Sequence, residues 1–284
     1  MEAGADAADD GTRAAASDSR AAARSDRPAL SVEWLGRVPY GEALAIQEDA
    51  VRARVTGRTV DRLLLLEHPP VITFGRSAKP GHLLLGEASL RARGVELFEV
   101  ARGGDVTYHA PGQLVGYPIV DLSPPHRRDV HAFLRALEAG LIDALEGWGI
   151  PACRVEGRTG VFIDRTRSRL SRGPQRKIAS IGIGLRRWVT WHGFALNVDL
   201  DLAGFDAIVP CGLADVVMTS VERELAIERR AGHAPARPGA SPGPGDESDP
   251  DGDRGMGGGS GGDAALGERM RASVGRSLAR RLAR

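Results

Sequence analysis

The sequence of 284 residues contains two cysteines, and their settings differ. Cys153 follows Pro151 and Ala152 and reads as a small buried hydrophobe. Cys211 lies between Pro210 and Gly212, just ahead of a segment, Val217–Ile227, that reads as a helix. The positive end of a helix dipole there would favour thiolate. A cysteine at a helix start is also a common structural residue, so the residues alone leave both readings open. Lys177 opens an otherwise apolar strand, Ile178–Gly184. Pointing outward it is an ordinary solvated lysine. Pointing inward beside Cys211, it would lower the thiol pKa and relay a proton. Only the fold could bring the two together.

A third candidate is the run Arg102-Gly103-Gly104-Asp105-Val106-Thr107-Tyr108-His109, closed by Pro111-Gly112 before a strand that starts at Gln113. Adjacent glycines let a ligand approach the backbone and expose N–H donors, and Arg102 adds a fixed charge. An ordinary tight loop between strands would look similar. The seven histidines include no short-spaced pair on one helix, and there is no Cys-x-x-Cys, so no metal site is expected. His109 and His192 each sit in a glycine-containing motif and are candidates to line a pocket; a satisfied structural histidine is an equal reading. Neither a phosphate loop nor a Gly-x-Ser-x-Gly elbow is present.

These residues need elements to position them. Strands are expected at Ala29–Gly36, Arg62–Leu66, Val71–Phe74, Val95–Val100, Gly160–Asp164, Lys177–Arg187 and Trp191–Leu200. Helices are expected at Tyr40–Val55, Glu87–Arg93 and Arg128–Trp148, the last with an apolar stripe of Phe133, Leu137, Leu141 and Leu145. Arg165–Arg176 is a basic loop. Residues 1–28 lack periodicity and an apolar core, and their acids argue against a transit peptide, so they read as a disordered tail. Residues 29–228 form the main domain, and 229–263 are a flexible Gly/Pro-rich insertion. Residues 264–284 carry Leu266, Met270, Val274, Leu278 and Leu282 every four positions. That pattern suits a last helix docked on the domain, or a basic helix lying on a membrane; docking is the preferred reading. The net charge of +1 gives no reason to expect nucleic acid. No apolar run reaches the length of a membrane span. Two cysteines without a secretory signal suit a reducing, cytoplasmic setting.

Four separated segments together resemble the bacterial octanoyltransferases of lipoate biosynthesis. They are Glu67-His68-Pro69-Pro70 through Arg76, Arg102 through Pro118, Lys177 through Gly182, and Trp191-His192-Gly193-Phe194-Ala195-Leu196-Asn197 leading to Pro210-Cys211-Gly212. They stand in the family's order across roughly residues 30–228. The resemblance implies an α/β (α+β) fold of mixed sheets flanked by helices, like the catalytic module of biotin and lipoate protein ligases. It implies Cys211 as acyl-thioester nucleophile and Lys177 as the group that lowers its pKa. Arg102–His109, Ser180-Ile181-Gly182 and Gly193-Phe194-Ala195 would line the substrate site. Glycines 103, 104 and 193 are candidate oxyanion donors, and Gly182 and Gly184 would leave room for an alkyl chain. The donor would be octanoyl-acyl carrier protein. The acceptors would be lipoyl domains of 2-oxoacid dehydrogenase complexes and the glycine cleavage H protein, with no cofactor. The departures are a longer basic loop before Lys177, Ala110 where the family often has glycine, and the insertion before the last helix. An ATP-dependent lipoate or octanoate ligase of the same superfamily is the alternative, and a non-catalytic acyl-binding module a second.

Overall fold

The computed structural model describes residues 30–123, 128–210, 215–230 and 261–282. The expected N-terminal tail, most of the Gly/Pro-rich insertion and Cys211 lie outside the described residues. In chain order the strands and helices are β1 (Ser31–Arg37), α1 (Tyr40–Val55), β2 (Arg62–Glu67), β3 (Val71–Phe74), α2 (Glu87–Ala92), β4 (Glu96–Glu99), β5 (Val106–His109), β6 (Gln113–Ile119) and α3 (Val130–Glu146). There follow β7 (Ala152–Cys153), β8 (Val161–Ile163), β9 (Gln175–Arg186), β10 (Val189–Asn197), β11 (Val216–Met218), α4 (Val221–Arg230) and α5 (Gly261–Leu282). A large sheet runs β1-β2-β6-β10-β9-β8-β7, with β11 added parallel to β9. A small sheet runs β4-β3-β5. This is the expected mixed α/β arrangement.

Strand β2 shows how the layers form. Leu63 and Leu65 join the core beneath α3 and α5, while Leu64 and Leu66 join the core beneath α1. Both faces are covered, so the strand is apolar throughout instead of alternating. Helix α3 starts where Asp129 accepts from the Ala132 N–H at 2.9 Å, a side-chain N-cap. Its Leu137, Leu141 and Leu145 are fully buried.

Helix α5 packs against α3. Met270, Val274 and Leu278 are 0% exposed. The Leu278 side chain lies so close to Gly140 of α3 that a Cβ there would meet it at 2.5 Å. Arg281 clamps Asp143 of α3 with two hydrogen bonds of 2.7 and 2.9 Å. Leu278→Ala is expected to lower stability by about 2–5 kcal/mol, because α3 and α5 cannot close the gap without moving the sheet. Urea unfolding monitored by fluorescence checks this.

One expected element is corrected. The stretch from Val217 is not helical at its start: Val216–Met218 pairs with Gln175–Lys177, and α4 begins only at Val221.

Candidate functional site

Strands β9 and β10 are antiparallel neighbours joined by a tight turn at Arg187–Trp188, both with positive φ (50 and 67). Their register sets Ser180 opposite Ala195, Ile181 opposite Phe194, Gly182 opposite Gly193 and Ile183 opposite His192. Above this ribbon lies a cavity of about 240 Å³. Lys177, Ser180, Ile181, Gly182, Gly193, Phe194 and Ala195 line one side of it. Arg102, Gly104, Asp105, Val106, Thr107 and His109 line another. Thus most of the residues singled out in the sequence come together around one space.

Two do not. Gly103 donates its N–H to the Ile183 carbonyl at 2.8 Å, so that N–H is already committed and is not an oxyanion donor. Tyr108 turns away and packs edge-on against Phe205, with ring centroids 5.6 Å apart. Strand alternation explains this, since Thr107 and His109 share the other face. The expected alkyl space beside Gly182 and Gly184 is also filled. A Cβ at Gly182 would meet the Gly103 carbonyl at 2.5 Å, and one at Gly184 would meet the Trp191 indole at 2.3 Å. In the Cβ direction these glycines admit the loop 101–103 and an indole, while Gly182 still lines the cavity with its backbone.

Lys177 points inward and is 2% exposed, with Nζ 5.4 Å from the centre of the Phe162 ring. Gly160 makes room for it: its φ is +125, and a Cβ there would meet Lys177 Cε at 2.7 Å. Just behind, Arg176 and Glu224 form a buried pair at 2.9 Å. Thr219 donates to Glu224 at 2.6 Å, Asn197 donates to the Thr219 carbonyl at 2.9 Å, and Gln113 donates to Asn197 at 2.9 Å. Gln113 then accepts from His109 Nδ1–H at 2.7 Å. A continuous buried network therefore runs from the strand position beside Lys177 to His109. On the same edge, β11 pairs Met218 with Lys177, and the Thr219 N–H donates to the Lys177 carbonyl at 2.9 Å. Arg158, on the loop before β8, lines the cavity and pairs with Asp215 at 2.7 Å.

Arg102 serves as a clamp. Its guanidinium donates to the Thr73 carbonyl and hydroxyl, each at 2.8 Å, and to the Gly103 carbonyl at 3.1 Å. This ties β3 to the glycine loop. Beyond it sits a group of neutral rings. Val38's carbonyl can only accept, so His68 Nδ1 carries the proton, and the Tyr117 hydroxyl donates to His68 Nε2; both contacts are 2.7 Å. Burial lowers His68 to about 4, and lowers His109 and His192 to about 3; Arg102 adds to the effect on the last two. Burial raises Tyr40 to about 12. The imidazole and phenol rings at this end of the cavity are thus uncharged at neutral pH.

These histidines make stability depend on pH. Unfolded, each takes a proton near its ordinary 6.5; folded, it resists until about 4 or 3. The unfolded chain binds more protons below pH 6.5, so stability falls as pH drops from there toward about 4. Each buried histidine contributes up to about 1.4 kcal/mol per pH unit in that window. Urea midpoints at a series of pH values check the slope, which His109→Gln is expected to reduce.

The sequence reading left out Tyr40, Tyr117, Gly157, Arg158 and Thr159, all of which line the cavity. Gly157-Arg158-Thr159-Gly160 was visible as a turn run; the others are single residues inside ordinary-looking elements. His192 stands apart. Its φ is +54 within a strand, which costs a non-glycine residue about 1–2 kcal/mol. It is 1% exposed, and neither ring nitrogen has a hydrogen-bond partner among the described residues. Among those residues no cluster of three or more His, Cys, Asp or Glu could hold a metal ion.

Residues 39–232 match the family described as the lipoyl protein ligase A/B catalytic domain. An octanoyltransferase of Solibacter usitatus is 52% identical over 183 residues, covering 64% of this chain and 78% of that protein. The chain belongs to the octanoyltransferase family. An octanoyltransferase of Chloroflexus aurantiacus is 48% identical over 208 residues, covering 73% of this chain and 86% of that one. Among solved structures, the bipartite lipoate protein ligase of Thermoplasma acidophilum aligns with a TM-score of 0.53 at 15% identity, over 90% of this chain and 84% of that one. That likeness establishes a shared fold. As an octanoyltransferase, the chain is an acyltransferase, and among its described residues no helix is long and apolar enough to cross a membrane.

Proposed function

We propose that the chain moves an octanoyl group from octanoyl-acyl carrier protein to a lysine of a lipoyl domain, through a thioester on Cys211. The observation that carries this is Lys177, a lysine 2% exposed in the cavity wall. The strand leading back to Cys211 is hydrogen-bonded to its carbonyl. A buried cation beside a thiol favours thiolate, and its N–H groups can pass a proton. The Cys211 thiolate attacks the donor's thioester carbonyl, an oxyanion forms, and the carrier's thiolate leaves and takes a proton from the Lys177 ammonium. The acceptor lysine, as free amine, then attacks the new thioester. An amide forms, the acceptor amine's proton returns to the now neutral Lys177 amine, and Cys211 leaves as thiolate.

The donor thioester is already activated, so adenylation by ATP is not needed. The names of the relatives at 52% and 48% identity favour this reading over the ligase alternative. The acceptors in this reading are lipoyl domains of 2-oxoacid dehydrogenase complexes and the glycine cleavage H protein, and the setting is a reducing cytoplasm. Mixing the protein with octanoyl carrier protein and a lipoyl domain is expected to give octanoylated domain without ATP. Modification that requires free octanoate plus ATP would overturn the reading.

A further inference from the structure

We propose that His192 sets the depth of the acyl site and so selects chain length; this rests on the octanoyl-transfer reading. Lys177 and His192 both line the cavity, and His192 sits opposite Ile183, six positions along β9 from Lys177. At about 3.3 Å per residue, the strand from Lys177 to Ile183 spans about 20 Å. The lysine and imidazole side chains each reach into that span. The remaining space suits a medium chain, since an extended eight-carbon acyl group is on the order of 10 Å long from bonds of ~1.5 Å.

Three features show that the imidazole is held there rather than merely tolerated. Strand alternation would place it on the face of Phe194 and Leu196, which join the core beneath α3 and α5. The left-handed φ of +54 turns it out of that pattern, toward Tyr117, whose ring lies edge-on at 6.4 Å. The N–H of residue 192 donates to Gln47 Oε1 at 2.8 Å, and Gln47 is 0% exposed on α1. The Trp191 ring lies 4.3 Å from the imidazole and braces it from the side. Strain at one position, upheld by a buried partner, is a pattern found at ligand clamps. A longer chain would have to displace a ring that is braced on two sides, in surroundings packed too densely to yield.

The test uses the full chain and two substitutions that a left-handed φ accepts, His192→Gly and His192→Asn. Wild type and variants are each given an equimolar mixture of hexanoyl-, octanoyl-, decanoyl- and dodecanoyl-carrier protein. The acyl adducts on the intact chain are then weighed. His192→Gly is expected to raise the decanoyl-to-octanoyl ratio at least tenfold, and His192→Asn by less. In parallel, the free fatty acids of the same lengths are tested for the rise they give in melting temperature. The longest acid that still protects is expected to be longer for His192→Gly than for wild type. Unchanged length profiles in both folded variants would overturn the proposal. If wild type forms no adduct at all, the transfer reading fails, and the fatty-acid profile alone decides the role of His192.

Discussion

Lys177→Met is expected to cut octanoyl transfer by about 10²–10⁴-fold at neutral pH while leaving the fold intact. Methionine keeps the length and apolar stem of the side chain, so the change removes the ammonium together with its place over the Phe162 ring. In the proposed mechanism that ammonium does two things. It holds the Cys211 thiol in its ionised form, and it passes a proton to and from the leaving groups. Without it the thiol returns toward the ordinary cysteine range near about 8.5. The loss should therefore lie in kcat more than in KM, and should shrink as pH rises. Alkylation of Cys211 by iodoacetamide across pH reads the first role directly. A Lys177→Met profile that coincides with the wild-type one would remove the lysine from the mechanism.

Arg176→Met is expected to destabilise the protein by about 3–5 kcal/mol. Glu224, its partner, has a side chain only 1% exposed, and the Arg176 side chain is 5% exposed. Removing the guanidinium leaves a carboxylate without compensation, and it also strips donors from the Leu170 carbonyl and the Ser168 hydroxyl, both at 2.7 Å. The damage reaches the site through Thr219, whose N–H holds the Lys177 carbonyl. Arg176→Lys keeps the charge but loses the two-pronged contact, so it should recover part of the loss. Thermal and urea unfolding measure both variants. A Tm for Arg176→Met within a degree or two of wild type would mean that the pair contributes little.

Much of this arrangement was legible in the residues, for identifiable reasons. Helix α1 and strand β3 have the boundaries expected from helical spacing and from the breaking effect of Pro69-Pro70. The glycine loop and the two strands that face it were visible because close backbone approach demands glycine. What escaped depends on long-range partners. Arg176 read as the end of a basic loop, because its partner Glu224 comes from α4 far along the chain. The close approach at Gly182 was not legible, because only the fold shows the Gly103 carbonyl filling its side-chain space. His192 sits in a strand with sound apolar patterning, and nothing local announces a left-handed φ or a glutamine from α1 beneath it. The turn away from the cavity at Tyr108 was within reach, since period-two alternation already separates it from Thr107 and His109.

The central claim is the thioester on Cys211, and intact-mass measurement tests it most directly. After brief incubation with octanoyl-carrier protein and no acceptor, the chain should gain the mass of one octanoyl group. Hydroxylamine should remove it, and addition of a lipoyl domain should transfer it. Cys211→Ala should gain nothing. An octanoyl adduct of equal yield on Cys211→Ala, or transfer to the lipoyl domain by that variant at the wild-type rate, would contradict the account.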